Sequence, residues 1–256
     1  MAHGKIQWIV FIALLGTNAF LAFLTFALGL HTEFVVGQDV SAAELPDVPA
    51  WVLGLANAAI ILVVYGLLGL AGLWFARKLG LPGVFRQDAG WRNWLWVPMG
   101  IGVAVGMGLV VADRLFALAG DWGGFAHPTF PMSVIASATA GIGEEILFRA
   151  FVMGLWAFLA SWALSRGRAT GLSLWVGNAI AALAFAAAHL PSAMLLLGAQ
   201  TPADMPAVVL VELLALNSLV ALIAGACYVR DGLVAAVGVH FWADIVWHVL
   251  WPLVAR

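Results

Sequence analysis

The run Ser133–Leu164, SVIASATAGIGEEILFRAFVMGLWAFLASWAL, is long and apolar, yet it carries Glu144, Glu145 and Arg149 near its middle. A membrane span needs about 20 apolar residues, and a charge at the centre of such a helix costs about 2.5–3.5 kcal/mol on insertion scales. Ionisable residues kept at that cost mark a pathway or an active site. Six further apolar runs accompany this one: Trp8–Leu30, Ala50–Phe75, Trp94–Val111, Leu172–His189, Ala207–Val229 and Leu233–Val254. The 256 residues are 64% hydrophobic and 9% charged, with mean hydropathy +1.04. Soluble domains are typically about 25% charged, so a soluble class is excluded. The reading is an all-α, polytopic transmembrane helical bundle of seven spans. An eighth, short or re-entrant segment within Ser192–Ala199 is the alternative.

Lys5, then Arg77, Lys78, Arg86 and Arg92, then Arg166 and Arg168, then Arg230 fall on alternate turns between spans. The loops on the other side hold Glu33, Asp39, Glu44, Asp47, Asp113, Asp121 and Asp204 against Arg114. Short loops rich in Lys and Arg are retained in the cytoplasm, which places the N-terminus there. Lys5 before an apolar stretch resembles the start of a signal peptide, but that apolar core is only about 7–15 residues long. An uncleaved anchor in a prokaryotic plasma membrane is expected. Cys227 is the single cysteine, so neither a disulfide framework nor a cysteine metal knuckle is available. The net charge of −2 points to no nucleic-acid partner.

The chain divides at about residue 132. Spans one to three, within 1–132, have no ionisable residue in their interiors, whereas 133–256 holds Glu144, Glu145, Arg149, His189, Glu212, His240, Asp244 and His248. In the third span Gly100, Gly102, Gly106 and Gly108 form a small-residue face, read as a packing seam. Chemistry is expected in the C-terminal four-helix half.

Three clusters carry it. Residues four apart share a helix face, so Glu145 is placed to pair with Arg149 while Glu144 is turned about 100° away. That leaves one glutamate neutralised and one available as a general base. A buried ion network that only fixes helix register is the structural alternative. In Phe185-Ala186-Ala187-Ala188-His189, phenylalanine and histidine share a face, and Pro191 ends the helix. In the last span His240, Asp244 and His248 are spaced on one stripe, and a carboxylate beside an imidazole fixes its tautomer. At about 1.5 Å per residue, Glu144, His240 and Asp244 fall near mid-membrane and His189 nearer the outer face. Glu212 is expected to reach the interface. Trp91, Trp94, Trp96, Trp247 and Trp251 are read as interfacial anchors, and His3, His31 and His127 are given no role.

The ordered set Glu144-Glu145-x-x-x-Arg149, Phe185-x-x-x-His189 and His240-x-x-x-Asp244 on successive apolar helices resembles the CPBP family of intramembrane proteases. That family includes type II CAAX prenyl endopeptidases and bacteriocin-processing enzymes. The resemblance covers about Ser133–Val254, including the turn Tyr228-Val229-Arg230-Asp231-Gly232-Leu233 before the last motif. It implies an endopeptidase acting within the bilayer on a membrane-associated or prenylated protein. In it Glu144 and His189 would activate water, His240 and Asp244 would stabilise the oxyanion, and Glu145, Arg149 and Phe185 would support them.

Two positions depart from the family pattern. Ala150 stands where glycine often follows the arginine, and Asp244 stands where asparagine is frequent; an ionised aspartate cannot donate a hydrogen bond. The family label is metalloprotease, which would make His189 and His240 ligands of a divalent metal such as zinc. The chain has no HExxH motif, the usual zinc-protease signature, so a metal-free glutamate mechanism stands beside it. Two other classes compete: a non-catalytic peptide-binding or bacteriocin-immunity protein, and a proton-coupled transporter using the same buried groups as a relay.

Overall fold

A computed structural model describes residues 2–29, 48–120 and 124–255. Within them the chain is helical, with no strand. The helices are α1 (Ala2–Ala27), α2 (Ala50–Leu79), α3 (Arg92–Gly120), α4 (Met132–Ser165), α5 (Gly171–Ala188), α6 (Leu190–Leu197), α7 (Ala207–Asp231) and α8 (Leu233–Val254). Seven stretches are long and apolar enough to cross a membrane, α5 and α6 counting as one. The segment read as a possible eighth span is thus the short helix α6, which follows a break at His189. Pro191 lies just beyond that break and has no N–H to continue the helical ladder. Asp39, Asp121 and the other acidic residues of 30–47 and 121–123 lie outside the described residues.

Apolar side chains face outward over much of the surface, as in Ile9, Leu67, Leu118 and Leu183. In lipid this is expected, because the surrounding chains are as apolar as the side chains. Small residues let the helices approach. A β-carbon at Gly102 or Gly106 would collide with the backbone of α8 at Val239 and Ala243, while Gly100 and Gly108 face open space. The expected glycine seam is therefore real at two positions, and it seats α3 against the helix bearing His240 and Asp244.

Gly232 makes the turn between α7 and α8 at φ 94°, a left-handed conformation that glycine adopts without strain. The Leu233 and Val234 N–H groups then donate to the Gly83 and Val84 carbonyls, and Arg86 N–H donates to the Asp231 carbonyl. The buried Asp231 carboxylate pairs with Arg86 at 3.4 Å and with Arg230. From α1, Gln7 donates to the Phe85 carbonyl at 2.7 Å and accepts from Val84 N–H at 2.9 Å. These bonds lock the loop after α2, the start of α8 and the base of α1 into one floor at the end of the bundle that carries the basic loops.

Three readings of the sequence need correction. The third span runs on to Gly120, which brings Asp113 into α3, where it is 2% exposed and accepts from Phe125 N–H at 3.4 Å. Glu212 does not reach an interface: it is fully buried in α7. Trp247 is 7% exposed and packs edge-on against His127, so it is a core residue rather than an anchor.

Candidate active site

The first motif sits where α4 changes pitch. From Glu145 to Met153 the backbone follows a π-helical path, with N–H groups bonding five residues back. Such wide turns often occur at functional sites because they offset side chains from the regular helical face. Glu145 and Arg149 nevertheless meet as the spacing predicts: Arg149 Nε donates to Glu145 Oε2 at 3.0 Å and an Nη donates to Oε1 at 3.4 Å. Both side chains are fully buried. In so dry a setting a single unpaired charge would be strongly destabilising.

Glu145 has a second partner that spacing within one helix could not disclose. Its Oε1 lies 2.9 Å from Nδ1 of His240 on α8. A carboxylate there holds the proton on Nδ1 and aims Nε2 away from Glu145. Nε2 stands 3.6 Å from Asp244 Oδ2 and 3.9 Å from Glu144 Oε2. Glu145 therefore pins the register of both α4 and α8, and Glu144 and Asp244 flank the imidazole's free nitrogen.

Glu144 itself is differently placed. Its side chain is 31% exposed, and its Oε2 has no hydrogen-bond partner among the described residues. Behind it, Gly143 is hemmed in by Asn18 of α1 and Tyr65 of α2. Asn18 is 2% exposed and was missed in the sequence because it is neutral; its signal was a carboxamide inside an otherwise apolar span.

Phe185 joins the second motif to the others. Its ring is 4.7 Å from His189 and 5.5 Å from His240, centroid to centroid, and the Arg149 guanidinium lies 5.1 Å above its face. Stacking a guanidinium on a ring is favourable, so Phe185 anchors Arg149 while separating the two imidazoles. His189 Nδ1 is 2.8 Å from the Phe185 carbonyl; donation there leaves Nε2 as an acceptor.

His248 has its hydrogen-bond partner outside the three motifs. It lies within a second π-helical stretch, Ile245–Leu250, and stands Nδ1 to Nδ1 at 3.1 Å from His127, in the segment before α4. One nitrogen must donate and the other accept. Burial lowers the pKa of His127 against the upward pull of Asp113, with Arg114 adding to the decrease.

The Nδ1 bonds of His189 and His240 leave each Nε2 open to a ligand. Zinc takes at least three protein ligands even in catalytic sites. Among the described residues no three His, Cys, Asp or Glu side chains are grouped to hold a metal. As placed, His189 and His240 with their neighbours do not form a three-ligand zinc set among the described residues.

Comparison with curated proteins and with solved structures gives no match. Residues 126–246 match the family model described as Type II CAAX prenyl endopeptidase Rce1-like, in agreement with the resemblance carried by the motifs. The matched segment encloses the whole cluster from Glu144 to Asp244 and leaves α1 to α3 outside it. The C-terminal part of this chain is therefore similar to the Rce1-like type II CAAX prenyl endopeptidases.

Proposed function

We propose that the protein is an intramembrane endopeptidase that hydrolyses a peptide bond in a membrane-associated protein. The observation that carries the reading is the asymmetry of the paired glutamates. Glu145 is consumed by Arg149 and His240, while Glu144 has a 31% exposed side chain and makes no hydrogen bond through Oε2 among the described residues, its nearest charged neighbour there being His240 Nε2 at 3.9 Å.

In this reading a water bridges Glu144 and His189 Nε2. Glu144 takes one proton as the water oxygen adds to the peptide carbonyl, and His189 accepts the hydrogen bond of the other. The carbonyl oxygen becomes an oxyanion beside His240 and Asp244. His240 donates to it from Nε2 when doubly protonated, and Asp244 donates when it holds a proton. Glu144 then passes its proton to the leaving nitrogen as the C–N bond breaks, releasing an amine and a carboxylic acid, whose remaining water-derived proton passes to His189 Nε2 and on to solvent to leave the carboxylate. Glu145, Arg149 and Phe185 do no chemistry; they orient His240 and hold α4, α5 and α8 in register.

Liposomes containing the wild type or Glu144→Gln, given membrane-associated and prenylated peptides, test this by mass spectrometry. The wild type is expected to cut, and the variant to be slower by about 10²–10⁴-fold, the usual contribution of a general base. Equal cleavage by a correctly folded Glu144→Gln protein would overturn the reading.

A further inference from the structure

Away from the cluster around Glu144, a crevice of about 260 Å³ opens at the end of the bundle that carries the basic loops. Ile6 and Val10 of α1, Phe85 and Gln87 of the loop after α2, Trp94 of α3 and Val234 of α8 line it. Hydrogen bonds tie these walls together and use up their polar groups. Gln7 holds α1 to the Val84 N–H and the Phe85 carbonyl, Trp94 Nε1 donates to the Arg86 carbonyl at 3.1 Å, and Val234 N–H donates to the Val84 carbonyl at 2.9 Å. The Phe85 and Trp94 rings meet edge to face, 4.8 Å between centroids. Apart from Gln87 the lining is apolar, so the recess offers water few of the two to four polar partners that an ordered water needs. Val10 is eight residues before Asn18, the α1 residue beside Gly143, which sets the crevice about 12 Å from the level of Glu144.

The mouth has the opposite character. α1 and α3 both run away from the basic end, so Lys5 lies one residue further out than Ile6, and Arg92 two residues further out than Trp94. Both cations are exposed. Neither has an ion pair among the described residues, whereas Arg86 is shared by Asp88 and Asp231, and Arg230 pairs with Asp231. Exposed Trp91 and Trp96 flank Arg92, and tryptophan settles at the level of lipid headgroups.

We propose that the crevice between α1, α3 and α8 binds an anionic phospholipid of the leaflet at the basic end, with one acyl chain against Val10, Phe85 and Trp94 and its phosphate between Lys5 and Arg92. Basic recesses between spanning helices bind anionic headgroups in this way. The lipid joins α1 and α3 to the start of α8, the helix that bears His240 and Asp244, from outside the hydrolytic cluster. The proposal does not depend on the hydrolase reading.

Native mass spectrometry of the full chain in detergent tests it, with phosphatidylglycerol and phosphatidylcholine of identical acyl chains as probes. The wild type is expected to hold one phosphatidylglycerol about 30-fold more tightly than phosphatidylcholine, the effect of two cations on one anionic headgroup. Lys5→Gln with Arg92→Gln should bring the two lipids to parity, and Ile6→Trp, which fills the recess, should weaken both. Arg166→Gln with Arg168→Gln removes the same charge from another basic loop and should leave the preference as in the wild type. Each variant is checked for monodispersity and helical content.

Equal affinity of the wild type for the two lipids, or no adduct with either, overturns the proposal. So does a preference that survives the loss of Lys5 and Arg92, or one that falls equally on loss of Arg166 and Arg168, since the attraction is then diffuse. Unchanged binding by Ile6→Trp puts the acyl chain elsewhere and overturns the site. Displacement of phosphatidylglycerol by a farnesylated peptide assigns the recess to a substrate's prenyl chain and overturns the lipid as its occupant.

Discussion

The helices before residue 126 and those after it are equally apolar, but they use polarity differently. Asn18 and Asp113 are the buried polar residues of the first group among the described residues; the second holds Glu145, Arg149, Asn178, Glu212, Asp231 and His240 besides four serines. The first half supplies shape. Gly102 and Gly106 admit α8, Gln7 ties the floor, and Asn18 and Tyr65 stand behind Gly143. The second half supplies charge, with Glu145 held by Arg149 one turn on and by His240 on another helix. The lesson is that a helix can be indispensable to a site without contributing a reacting group.

The sharpest contrast is predicted between Glu144→Gln and its neighbours, because the former removes the reacting group and leaves the fold intact. Its melting temperature in detergent should match the wild type while turnover falls by about 10²–10⁴-fold. Arg149→Ala should do the reverse of this separation and break fold and function together. It leaves Glu145 buried with one partner fewer, at a cost of about 3–5 kcal/mol, which thermal unfolding would register. A variant as stable as the wild type would show that the pair is not the clamp described here.

Gly102→Ala tests the shape-giving half directly. Its β-carbon meets the α8 backbone, and overpacking of this kind costs about 1–3 kcal/mol. Stability should fall, and activity should fall further than stability alone requires because α8 carries His240 and Asp244. The same change at Gly108, which faces open space, should be neutral, and a loss there would blur the comparison.

Asp244→Asn probes the departure from the family pattern. A carboxamide donates at any pH, whereas a carboxyl donates only while protonated. The variant should retain activity and extend it to higher pH; loss of activity at every pH would show that the carboxyl itself is required. The smallest effect is expected from metal removal. Dialysis against a chelator should leave cleavage unchanged, and restoration of lost activity by zinc would revise the assignment of His189 and His240.

The seven spans, the pairing of Glu145 with Arg149 and the break after His189 were all legible in the chain. They depend on hydrophobic run length, on i to i+4 spacing and on proline, which are local properties. The partner of His248 was not legible, because His127 reaches it from a segment 121 residues away in the chain. Nor was the burial of Glu212 and Trp247, since apolar surroundings look alike in sequence whether they are lipid or protein.

By itself, then, the sequence determined that this is a membrane bundle whose second half concentrates ionisable groups in an ordered protease-like set. Only the tertiary structure decided that Glu145 lies 2.9 Å from His240 across 95 residues and that Phe185 packs against both imidazoles. Periodicity reports which residues share a face of one helix. Which faces meet, and at what height, is settled by small residues such as Gly102 and Gly106 and by the turn at Gly232, whose effect exists only once the helices are packed.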